Sequence, residues 1–170
     1  MHRNRADTVL RSGNSGRPES FPRRTARLLV KGPGGLASPT ARWTVNFLAI
    51  AGAALLIWSA VVHIRLWSDG YRDISVIGPL FIIQGVGTIV IAVVLVIFRR
   101  LVLLAAGAVA LAATAVGLLL SVHISLFGYR ESLAVPYAGL SLVVEFTGAA
   151  ILLVAAATVL AACSGARANP

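Results

Sequence analysis

Apolar residues run down this chain in four long blocks, with polar residues gathered between them. The blocks cover roughly 43–64, 74–98, 101–126 and 136–163. Each is long enough to cross the hydrocarbon of a bilayer as a helix of about 20 residues. None alternates at every second position, as a barrel strand would, and all are far longer than buried strands. The pattern therefore predicts four transmembrane helices, and a four-helix bundle is their simplest closed packing: an all-α fold. Residues 1–42 read differently. They hold Arg3, Arg5, Arg11, Arg17, Arg23, Arg24, Arg27, Lys31 and Arg42 among Pro, Gly and Ser. Too little apolar content is present to offset the entropy of ordering, which predicts a disordered basic tail. No apolar core follows at signal-peptide distance, so the tail is not read as a leader. The expected organisation is a tail over 1–42, a membrane domain over 43–163 and a second short tail over 164–170.

Composition supports the membrane reading. The chain has 170 residues, 58% of them hydrophobic and 12% charged. A soluble domain carries about 25% charged residues, so most of this surface is expected to face lipid. The net charge of +9 would suggest nucleic acid on a soluble face. Here nine of the 15 basic residues precede Trp43, so the charge belongs to the tail and nucleic acid is not an expected partner. Basic residues also set orientation. The first tail carries nine, the Arg99-Arg100 connection two and the last tail one, Arg167, against Arg65, Arg72 and Arg130 on the other side. Both termini are therefore expected to be cytoplasmic. Trp67, Tyr71, Phe127, Tyr129 and Tyr137 then gather at the outer interface. Arg99-Arg100 implies a very tight turn, making the second and third helices close antiparallel neighbours. Arginine-dominated basic usage with abundant Ala, Val and Gly points to a high-GC bacterial source and a plasma-membrane location.

The chain contains one stretch twice. His63-Ile64-Arg65-Leu66-Trp67 leads to Gly70-Tyr71-Arg72-Asp73, and His123-Ile124-Ser125-Leu126-Phe127 leads to Gly128-Tyr129-Arg130-Glu131. Gly78, Gln84 and Gly87 are spaced as Gly139, Glu145 and Gly148. These echoes mark a duplicated two-helix unit, with copies over about 43–98 and 101–163. Each copy starts and ends on the same side, so the repeats are parallel and related by an axis along the membrane normal. Small residues such as Gly52, Ala53, Gly85, Gly87, Gly107, Gly117 and Gly148 are expected at close helix contacts.

Glu145 is the leading chemical candidate, because a carboxylate inside hydrocarbon costs several kcal/mol unless paired and so should face the bundle. Its repeat counterpart, Gln84, has the same shape without a charge. Either the two fix helix register by hydrogen bonding, or Glu145 binds a proton or ligand. His63 and His123 fall at matching depth and would face each other if both point inward. They can anchor the interface, relay protons towards Glu145, join Glu145 around a metal, or ligate a haem axially. Trp67 and Phe127, four residues on, could stack on the imidazoles. Arg72 and Arg130 either pair with the adjacent acids in exposed salt bridges or reach down to Glu145. The single cysteine, Cys163, reads as a small apolar residue. Phosphate-binding loop, nucleophile-elbow and zinc-helix motifs are absent, so an enzyme is not the expected reading.

The segment from His63 through Gly70-Tyr71-Arg72 to Ile77-Gly78-Pro79-Leu80-Phe81 resembles a pattern in small four-helix integral membrane proteins of actinobacterial type. The resemblance covers the helical portion and implies fold and location, not activity. The expectation is a membrane protein that binds a small ligand or partner at an outer site between the repeats, lined by His63, His123, Gln84 and Glu145, with Arg72 and Arg130 nearby. The alternatives are a proton-coupled carrier working as an oligomer and a haem- or quinone-dependent redox protein. No cofactor or metal is required by the first of these. Membrane lipid, a second copy or another membrane protein are the partners it implies.

Overall fold

The computed structural model describes residues 30, 36, 38–125, 127, 128, 130, 132 and 137–165, with side chains in the last helix through 162. Most of the basic tail, Tyr129, Glu131, Pro136, the Cys163 side chain and residues 166–170 lie outside the described residues. Four helices carry the fold: α1 (Pro39–Ser68), α2 (Ile77–Phe98), α3 (Leu101–Ile124) and α4 (Ala138–Gly165). All four are long and apolar enough to cross a membrane.

The ends of the helices follow from local chemistry. α1 begins four residues earlier than its apolar block, because Ser38 accepts from the Ala41 N–H at 3.4 Å and Pro39 occupies the first turn. Leu36, from the segment read as tail, is only 4% exposed and joins the core. α1 closes with the Asp69 N–H donating to the Arg65 carbonyl, after which Gly70 takes a φ of 133° that other residues rarely adopt. A short 3₁₀ turn, Tyr71–Asp73, then leads into α2. Its backbone lies so close to Gly78 that a side-chain carbon there would strike the Arg72 carbonyl. Between α2 and α3, Arg99 is left-handed at φ 46° and Arg100 is extended. The Arg99 N–H caps Leu95, and the Arg100 carbonyl accepts from Leu103 and Leu104.

The helices run alternately up and down. Ser59 of α1 meets Glu145 of α4, while Gly52, two turns earlier, meets Leu152, two turns later. α1 packs on α2 and α4, and α3 packs on α4. Leu152 is held between Gly52 and Gly107, Leu111 lies over Gly148, and Ile64 lies over Gly85. These four glycines mark close helix contacts, as small residues do in membrane bundles. Gly87 and Gly117 do not, because each faces open space.

The bundle has two unlike halves. The half towards the α2–α3 turn is a dry core of Val45, Ala49, Leu56, Leu95, Leu104, Leu111, Leu152, Ala155 and Val159. The half towards the other two connections holds the buried polar residues Ser59, His63, Ser121, Ser141 and Glu145. α2 and α3, expected as close neighbours, make the thinnest contact between consecutive helices. Their short connection holds them together at one end only, and a cavity separates them at the other.

Candidate functional site

Each helix brings one polar stripe to this half. Ser59 and His63 are four residues apart on α1, as are Gln84 and Thr88 on α2 and Ser141 and Glu145 on α4. Thr114 and Ser121 are seven apart on α3. Spacings of four and seven return a side chain to the same helix face, so each stripe points one way. His63, Gln84, Thr114, Ser121, Ser141 and Glu145 from these stripes line a cavity of about 240 Å³.

Glu145 forms its floor. It is fully buried, seven residues into α4 and so about 10 Å below the helix start. Its Oε1 accepts from the Ser141 hydroxyl at 2.8 Å and from the Ser59 hydroxyl of α1 at 3.4 Å. Its Oε2 has no hydrogen-bond partner among the described residues. A buried polar atom left unpaired costs about 1–3 kcal/mol, so this oxygen is conspicuous.

His63 closes one side. Its Nδ1 lies 2.8 Å from the Ser59 carbonyl. A carbonyl can only accept, so Nδ1 carries the hydrogen, and in the neutral ring Nε2 is left as an acceptor. The ring meets Phe81 of α2 at 5.1 Å between centroids, and Phe81 stacks on Tyr71 at 5.0 Å. His63, Phe81 and Tyr71 thus form a continuous aromatic wall up to the outer rim. The aromatic partner of His63 is Phe81, not Trp67.

Gln84 ties α2 to α3. Its Nε2 donates to the Thr114 hydroxyl and, at 3.4 Å, to the Ala110 carbonyl. The remaining wall is apolar: Leu66, Ile77, Leu80, Ala113, Gly117 and Leu118. Leu80, Ala113 and Tyr137 are exposed as well as lining, so the mouth lies along the α2–α3 seam and at the end nearest Tyr137.

Three of the six residues singled out from sequence meet here: Glu145, Gln84 and His63. The other three do not. His123 makes the same bond as His63, Nδ1 to the Leu119 carbonyl at 2.8 Å, but its ring is exposed and outside the cavity. The two histidines therefore do not face each other, because α3 turns Ser121 inward and His123 lies two residues, about 200°, further round. Arg72 makes an exposed ion pair with Asp73 at 3.6 Å. Arg130 donates from Nε to the Val122 carbonyl at 3.3 Å near the end of α3. Neither arginine reaches Glu145. Conversely, sequence reasoning passed over Ser59, Phe81, Thr114 and Ser141. The serines could have been found, since each lies four residues before a candidate already chosen. Phe81 gives no such signal, since it is one apolar residue in an apolar block.

Four apolar helices around a mostly apolar cavity are compatible with a multi-pass integral membrane protein. No protein-family model, curated protein or solved structure matches the chain. What the site can do is therefore read from its own chemistry.

Proposed function

We propose that the chain is a bacterial plasma-membrane protein that binds a small lipid-soluble molecule between α2 and α3. On this reading both termini are cytoplasmic, the cavity opens in the outer leaflet, and the two halves descend from one duplicated two-helix unit. The observation that carries the proposal is Glu145, which lines a mostly apolar cavity and whose buried Oε2 has no hydrogen-bond partner among the described residues. Ligand sites combine apolar walls with a few convergent polar groups in this way. A purely structural Glu145 would be expected to satisfy both oxygens within the bundle.

The carrier reading is less well supported for a single chain. Below Glu145 the bundle is filled by Leu56, Leu111 and Leu152, all fully buried, so the cavity ends there. A haem held by His63 and His123 needs both rings at one site, and only His63 lines the cavity.

The test is organic extraction of the full chain, purified in mild detergent from its native membrane, with mass spectrometry of the small molecules. The comparison is Gly117→Leu, which places a side chain into the open space Gly117 leaves at the cavity wall. A molecule enriched with the native chain and lost from the folded variant is expected. Identical extracts from both would overturn the reading.

A further inference from the structure

We infer that the ligand of this cavity is a lipophilic amine, bound through its ammonium to Glu145. The inference rests on the ligand-binding reading above and adds its chemical class. Two of the lining residues carry acceptors to which no donor is assigned. Oε2 of Glu145 is unpaired, Nε2 of His63 is left as an acceptor, and Gln84 spends its amide N–H groups on α3. Among the described residues that line it there is no lysine or arginine. An acidic ligand would find no fixed cation there and would meet a carboxylate. A neutral ligand with acceptors only, such as a quinone, can bond to Oε2 only while the carboxyl keeps its proton, whereas an amine takes that proton and supplies the donors. An ammonium supplies up to three donors and the compensating charge, and charge-assisted bonds are about twice as strong as neutral ones.

The walls agree with this class. Tyr71, Phe81 and Tyr137 line the cavity, and aromatic rings attract a cation most strongly where water is excluded. Size limits the body of the ligand. A cavity of about 150 Å³ accepts benzene, so about 240 Å³ accommodates roughly ten non-hydrogen atoms. That is an aryl ring or short chain with one amino group, not a phospholipid.

Three probes of about that size separate the classes: 3-phenylpropylamine, 3-phenylpropanol and 3-phenylpropionate. Their binding to the full chain in detergent is measured calorimetrically, for the native chain, Glu145→Gln and Gly117→Leu. Glu145→Gln keeps the side-chain shape and can still accept from Ser59 and Ser141, so it is expected to fold. The expected result is amine binding at least about tenfold tighter than alcohol or acid. That preference should be lost in Glu145→Gln, and all binding should be lost in Gly117→Leu. If the three probes bind alike and Gly117→Leu still blocks them, the cavity binds ligands but the amine assignment is wrong. The assignment is equally wrong if Glu145→Gln keeps the amine preference. If no probe binds, or Gly117→Leu leaves binding unchanged, the ligand-binding reading fails and takes the amine assignment with it.

Discussion

Replacing Glu145 by methionine is expected to make the bundle more stable while removing its binding chemistry. The magnitude follows from three contributions. Oε2 is buried without a partner, and relieving it returns about 1–3 kcal/mol. Two hydrogen bonds, from Ser141 at 2.8 Å and Ser59 at 3.4 Å, are lost. Side-chain hydrogen bonds within membrane bundles average about 0.6 kcal/mol each, so this costs about 1 kcal/mol. The serine hydroxyls are not stranded, because each can turn back to a carbonyl one turn earlier on its own helix. Methionine fills a similar volume and adapts its shape, so little cavity strain is added. The net expectation is stabilisation of about 1 kcal/mol. Unfolding in mixed micelles titrated with sodium dodecyl sulfate, followed by far-ultraviolet circular dichroism, measures it. A loss of more than about 1 kcal/mol would refute the reasoning, since Glu145 would then be a structural tie and not a group kept at a cost to the fold. Charged groups in membrane interiors are expensive, and their retention points to use.

Four further outcomes follow from the packing. Gly52→Ala forces its new methyl into Leu152 and is expected to cost about 1–3 kcal/mol, whereas Gly87→Ala meets open space and should gain up to about 1 kcal/mol; the same titration separates them. Thr114→Val keeps the shape but removes one of the two acceptors of Gln84, and is expected to cost about 0.6–1.7 kcal/mol, read in the same assay. Phe81→Ala removes the ring between His63 and Tyr71; it should weaken 3-phenylpropylamine binding about threefold or more by calorimetry, through lost aromatic contact. In a Cys163→Ala background, Ser75→Cys should react with a membrane-impermeant maleimide in intact cells and Arg100→Cys should not. The opposite labelling pattern would invert the proposed orientation.

The helices were legible because burial in lipid leaves long uninterrupted apolar blocks, and only their ends shifted. Pro39 and Ser38 drew α1 back into polar sequence, since capping depends on single side chains and not on hydropathy. Glu145, Gln84 and His63 were legible for the opposite reason: polar groups are conspicuous where polarity is costly. The repeat misled in one respect. It assigned His123 the role of His63, but a matching sequence does not guarantee a matching environment. The matching glycines differ too: a methyl at Gly148 would strike Leu111 and Leu55, while one at Gly87 would meet nothing within 4 Å. The thin α2–α3 contact could not be read from the two-residue turn, which fixes one end of a helix pair and leaves the other free. The same freedom makes the cavity.

The position of the cavity mouth, along a seam that faces acyl chains, changes what an unliganded site means. Its reference solvent is hydrocarbon. Binding becomes an exchange, in which a ligand evicts the end of a lipid tail, and burying the ligand's apolar body gains almost nothing because it was already out of water. Discrimination then falls on the few polar atoms at the floor. Apparent affinity should also vary with bilayer composition, because every lipid beside the mouth is a competitor present at fixed, high concentration.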